Sequence, residues 1–149
     1  MSILILTVVG VVTAVLATQG EYKPTRTQVY IFKPVTTGLI ILIALLGTGV
    51  TPPLYKGLII AGLLFCLGGD ILLMLPTRYF IGGLVSFLVG HLLYIVAFVT
   101  DTGFQFSLLW LLPLLVFGGV IYSLLHPHLG SMRLPVIIYM ITILAMAWQ

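Results

Sequence analysis

The sequence has 149 residues, 61% of them hydrophobic and only 6% charged, with a formal net charge of +3. A soluble domain carries roughly 25% charged residues, so this composition and a mean hydropathy of +1.30 exclude a water-soluble globular protein and make the chain an integral membrane protein. The basic residues form no run of lysine or arginine, which argues against a nucleic-acid partner.

Six apolar segments follow one another: Ser2–Thr18, Pro34–Val50, Gly57–Leu75, Ile81–Val99, Phe106–Leu125 and Leu134–Trp148. Each is close to the ~20 residues that cross ~30 Å of hydrocarbon. Long unbroken apolar runs do not fit the alternation of a barrel, and an open sheet leaves unpaired edges in lipid. The expected fold is an all-α, polytopic transmembrane bundle of about six helices in one domain over residues 1–149. Short connections predict that sequential helices are antiparallel neighbours.

Only Met1 and Ser2 precede the first apolar run, Ile3 to Ala17. A signal peptide has a positive segment before its apolar stretch, so this run is expected to be a retained first helix. With the N-terminus on one side, the opposite side receives Lys23, Arg26, Arg78 and Arg133, with Lys33 close by, while the first side receives Lys56 and Asp101. The positive-inside rule then makes the side with the arginines cytoplasmic and places the N-terminus outside, in the cell's inner membrane.

In the second segment Pro34 suits the first position of a helix, where its missing N–H costs nothing. Lys33 would then sit at the helix mouth with Thr36 and Thr37 in the first turn, a place that suits a lipid phosphate. A lysine that reaches out to lipid headgroups accounts for Lys33 equally well. The third segment carries Asp70 one to two turns before its cytoplasmic end, after Gly68 and Gly69. A charge at membrane depth costs about 2.5–3.5 kcal/mol on insertion scales, so an intramembrane carboxyl is a candidate functional group. Its other reading is structural, as the partner of Lys33. The fourth segment follows the turn Pro76-Thr77-Arg78 and carries His91 near its middle, with Phe87 and Tyr94 on the same face. A histidine inside a bundle is often a hydrogen-bonded packing residue. With Asp70 on the adjacent helix, however, Lys33, Asp70 and His91 are expected to reach one cavity in the cytoplasmic half of the membrane.

The remaining polar residues point less clearly to chemistry. Cys66 is the only cysteine and lies in an apolar run, which rules out an internal disulfide. His126 and His128 share a loop without a carboxylate or thiol beside them, a poor metal site, and no metal or cofactor is expected. Asp101 lies in a loop that water can solvate. Trp110 and Trp148 suit the interfacial belts, and Gly82-Gly83 and Gly118-Gly119 suit close helix packing. The motifs of P-loop enzymes, zinc proteases, serine hydrolases and dithiol oxidoreductases are missing from the sequence.

Several stretches taken in order resemble the YhhN family of lysoplasmalogenase-like membrane proteins. They are Lys33-Pro34 with Thr36-Thr37, Tyr55-Lys56-Gly57 leading to Gly62-Leu63 and Gly69-Asp70, and Phe80-Ile81-Gly82-Gly83-Leu84. Phe87 with Gly90-His91-Leu92-Leu93-Tyr94 and Pro135-Val136 with Tyr139 and Met146 continue the likeness. The Gly-Asp and His-x-x-Tyr pieces are its specific part. The resemblance implies about eight membrane helices and a second intramembrane aspartate in a Ser-Asp pair on a later helix. That pair is missing from this sequence, and the chain is expected to lack the family's C-terminal helices.

The resemblance also implies hydrolysis of the vinyl ether bond of a lysoplasmalogen, giving a fatty aldehyde and a glycerophospho-base. Proton addition to carbon produces an oxocarbenium ion that water captures, so the first step needs a general acid. On this reading Asp70 is the acid, His91 orients water or relays a proton, and Tyr94 fixes the imidazole by hydrogen bonding. Lys33, Thr36 and Thr37 hold the lysophospholipid's phosphate. Two other classes fit the same residues. A small proton-coupled transporter would use Asp70 and His91 as a relay, and a non-catalytic lipid-binding protein would use them only to join helices.

Overall fold

A computed structural model describes residues 2–22, 27–47, 49 and 51–149. Lys23, Arg26 and Val50, named above for orientation and for the end of the second segment, lie outside the described residues. Six helices account for most of the described chain: α1 (Ser2–Glu21), α2 (Thr27–Leu46), α3 (Pro53–Met74), α4 (Phe80–Thr102), α5 (Leu108–Leu125) and α6 (Arg133–Trp148). No strand occurs among the described residues. All six stretches are long and apolar enough to cross a membrane.

Most boundaries follow the apolar runs, because a helix is the one local way to satisfy every backbone N–H and C=O in lipid. Pro53 opens α3 as its first residue, where a missing N–H is tolerated. Gly103 closes α4 at φ +73°, a left-handed conformation in which a side chain would be strained. The turn at Pro76 is a short 3-10 segment, Thr77–Tyr79.

The second helix departs from expectation. It begins at Thr27, so Pro34 lies inside it rather than at its start. An interior proline frees the carbonyl four residues back, here Tyr30, from its intrahelical partner. Tyr30 is in the first turn, where headgroups and water can serve that carbonyl, so the helix continues through the proline. A proline that suits the first position of a helix is thus no proof of a boundary, since the apolar residues Val29, Ile31 and Phe32 already lie within α2.

Neighbours pair in the order α1, α2, α3, α4, α6, α5, with α3 against α4 the most extensive pairing. The expected sequential pairing therefore holds from α1 to α4 and for α5 with α6, but beyond α3 the partner of α4 is α6 rather than α5. Burial is inverted relative to a soluble protein. Thr13, Asp70, His91 and Thr142 are buried, whereas Leu109, Val116 and Phe117 of α5 are more than 60% exposed. In water such a surface would aggregate; in lipid, apolar side chains outside and polar ones between helices are the stable arrangement.

The candidate site at the Lys33–Asp70 pair

Glycines bring α3 and α4 close enough to bury polar groups. A side chain at Gly62 would run into the Tyr94 ring, and a Cβ at Gly69 would stand 2.5 Å from the ring of Phe87. In return, a Cβ on Gly90 would meet the Gly62 carbonyl at 2.9 Å. Ser86 of α4 donates to the Phe65 carbonyl of α3 at 2.6 Å, a bond between helices where no water competes. Of the doublets Gly82-Gly83 and Gly118-Gly119, Gly83 and Gly118 take the close contacts, against Leu73 and Leu144, while Gly119 faces open space.

This packing leaves Asp70 only 5% exposed, with both carboxylate oxygens engaged from α2. Lys33 Nζ lies 3.4 Å from Oδ1, and the Thr37 hydroxyl donates to Oδ2 at 2.6 Å. Lys33 is about 9 Å along α2 from Thr27, and Asp70 about 6 Å along α3 from Met74, at 1.5 Å per residue. The two thus meet at similar depth on the side where Arg78 lies. A buried carboxylate with a cation and a hydroxyl donor is a satisfied one.

Thr36 takes a different partner. Its Oγ1 lies 2.9 Å from Thr13 Oγ1 on α1 and 2.7 Å from the Phe32 carbonyl. The expected phosphate seat at a helix mouth is therefore corrected. Lys33, Thr36 and Thr37 sit about two turns into α2, where backbone N–H groups are already used by the helix. Their side chains instead connect α2 to α1 and α3.

Lys33, Thr36, Thr37 and Asp70 line one groove of about 320 Å³, whose opposite wall is Ala14, Ala17 and Thr18 of α1. Small side chains on that face of α1 make the room. The Lys33 side chain remains 38% exposed, so its ammonium reaches both Asp70 and the groove.

His91 and Tyr94 do not line this groove. From Phe87, level with Gly69, His91 lies one turn deeper, about 6 Å. Its Nδ1 is 2.6 Å from the Phe87 carbonyl. A carbonyl only accepts, so Nδ1 carries the hydrogen. The rings of Tyr94 and Tyr139 meet it edge-on, at 6.1 and 5.5 Å between centroids. The expected hydrogen bond from Tyr94 to the imidazole is not formed: the Tyr94 hydroxyl lies 3.6 Å from Cys66 Sγ. Tyr94 packs on Gly62 and Cys66 of α3 and His91 on Tyr139 of α6, whereas the Asp70 carboxylate is bonded from α2.

Thr13, Cys66 and Tyr139 were missed as neighbours of the polar residues. Each meets its partner across a helix interface, which spacing along the chain cannot reveal. Lys56 also gains a role: its Nζ donates to the carbonyls of Leu45 and Gly47, both at 2.9 Å, and so caps the C-terminus of α2. No group of three or more His, Cys, Asp or Glu side chains that could hold a metal occurs among the described residues.

The family model that matches the sequence, the YhhN family, covers residues 28–149. The chain belongs to the YhhN family. It is similar to the uncharacterized membrane protein YhhN of Escherichia coli O6:H1, of Escherichia coli O157:H7 and of Shigella flexneri, in each case 30% identical over 141 residues. The match takes in 91% of this chain but 64% of each relative, so the chain spans less than two thirds of their length. No solved structure matches it. The matched region contains α2 to α6 from Gln28 onward, and hence Lys33, Thr37, Asp70 and His91, while the alanine wall of α1 lies before the start of the family match.

Proposed function

We propose that this YhhN-family protein is a membrane-embedded hydrolase that cleaves the vinyl ether bond of lysoplasmalogens. The observation that carries this reading is the Lys33–Asp70–Thr37 cluster, one to two turns inside the helix ends, beside a groove walled by the small residues of α1. A lysophospholipid lying in the groove would place its phosphate near Lys33 and its alkenyl chain along Ala14 and Ala17. Asp70, in its protonated form, then delivers that proton to the β-carbon of the vinyl ether. The electron pair of the C=C bond forms the new C–H bond, and the adjacent carbon becomes an oxocarbenium ion. The Lys33 ammonium stabilises the carboxylate left behind, and that carboxylate faces the cation. Water adds to the cationic carbon and gives a proton to the Asp70 carboxylate, which restores the acid, and the hemiacetal collapses to a fatty aldehyde and a glycerophospho-base.

His91 and Tyr94 support the site from behind in this reading. They hold α4 between α3 and α6, and so fix the backbone on which Gly69 and Asp70 stand. The N-terminus is proposed to lie outside the cell's inner membrane, with the groove opening toward the cytoplasmic leaflet, in keeping with Arg78 and Arg133 on that side.

Two other readings remain distinguishable. A proton-coupled carrier predicts gradient-driven uptake without turnover, and a packing role predicts loss of stability alone. Asp70→Asn keeps the shape and the hydrogen bond from Thr37 but cannot supply the proton. Aldehyde release is expected to fall about 10²–10⁴-fold, the usual contribution of a general acid, with the variant still in the membrane. Full activity in Asp70→Asn would remove Asp70 from the chemistry.

A further inference from the structure

The groove beside Asp70 does not end at Lys33. A second cavity of about 140 Å³ shares Glu21, Val29 and Lys33 with it and reaches Met74 and Leu75 at the end of α3. Space therefore continues from the alanine wall, past the Lys33–Asp70 pair, to the membrane boundary, with a lysine and a glutamate both facing it. Glu21 lies on the same face of α1 as Ala14, Ala17 and Thr18. It is also in the last turn of that helix, where the dipole disfavours a carboxylate, so helix stability does not account for an acid here.

We infer that Glu21 receives the cationic end of a zwitterionic lipid headgroup whose phosphate lies against Lys33, and that it thereby sets headgroup preference. An ammonium has three donors, so Lys33 can bond Asp70 and a phosphate oxygen together. A phosphodiester beside Lys33 carries its next substituent toward the boundary, where Glu21 stands. An amine there forms an ion pair with the carboxylate, whereas a neutral head leaves Glu21 facing phosphate across the same space. Glu21's role rests on the hydrolase reading only for the identity of the lipid; binding itself is independent of turnover.

The test measures equilibrium binding of two non-cleavable alkyl-ether lysolipids to the full chain in detergent, one with a phosphoethanolamine head and one with phosphoglycerol. The wild-type protein is expected to prefer phosphoethanolamine by about two- to fivefold, the range for an exposed ion pair. Glu21→Gln is expected to abolish that preference, and Glu21→Lys to reverse it. Lack of preference in the wild type, failure to bind either lipid, or an unchanged ratio in both variants would overturn the inference. Aldehyde release from a vinyl-ether lysolipid, measured beside it, judges the hydrolase reading separately: the expected headgroup preference without release would sink that reading and leave the Glu21 site standing.

Discussion

Asp70 is held by contacts of unequal kind, and substitutions separate them. Thr37→Val removes the 2.6 Å donor to Oδ2 while keeping the shape of the side chain. A hydrogen bond to a charged group contributes about 1.5–3 kcal/mol, so activity is expected to fall at least about tenfold. Thr36→Val, at the preceding residue but bonded to Thr13 rather than to Asp70, is expected to leave turnover within about twofold and to lower thermal stability by about 1 kcal/mol. Equal losses of aldehyde release in the two variants would contradict the division between them. Lys33→Ala removes the cation beside a carboxylate that is only 5% exposed, and breaking a buried pair costs about 3–5 kcal/mol at full burial. Half of this pair is exposed, so the loss is expected toward or below the lower end, read as a lower melting temperature together with weaker lysolipid binding. At this scale Asp70 and Lys33 were legible from residue type and depth alone. Thr37's role as a donor was not, because it depends on which face of α2 meets α3.

Helices were easier to find than their contacts. Apolar length marks each span, since lipid leaves the backbone no local alternative, and five of six segments begin within a few residues of their expected positions. The exception, α2, shows where a proline misleads: Pro34 suits a first helical position but sits inside a helix that starts at Thr27. The pairing of α4 with α6 was hidden as well, because short loops favour sequential neighbours but do not compel them. The glycine doublets announced close packing without showing which member provides it. A Cβ at Gly69 meets an aromatic ring, so Gly69→Val forces α3 and α4 apart and is expected to cost about 1–3 kcal/mol. Gly119→Ala fills open space and is expected to leave the melting temperature unchanged. Comparable losses in the two would mean that the α3–α4 glycines do not set that interface.

Among the described residues Asp70 and His91 are buried between helices while large apolar side chains cover the outside, an arrangement in keeping with a composition of 6% charged residues. Orientation is the property that follows at this scale. Ser131, between α5 and α6, and Gln105, between α4 and α5, lie at opposite ends of α5. In intact cells an impermeant maleimide is expected to label Gln105→Cys and to spare Ser131→Cys; the opposite pattern would place the groove on the outer leaflet. Cys66, within α3, is not reached from either face.

Vinyl ether hydrolysis through proton transfer to carbon places a solvent hydrogen on the carbon next to the aldehyde. The most direct measurement is the mass of the fatty aldehyde released from a vinyl-ether lysolipid by the purified 149-residue chain in heavy water. One deuterium on the carbon next to the carbonyl, with release lost in Asp70→Asn, is the expected result. An undeuterated aldehyde, or release that persists in the variant, would contradict Asp70 as the proton donor, and no aldehyde at all would contradict hydrolysis by this chain.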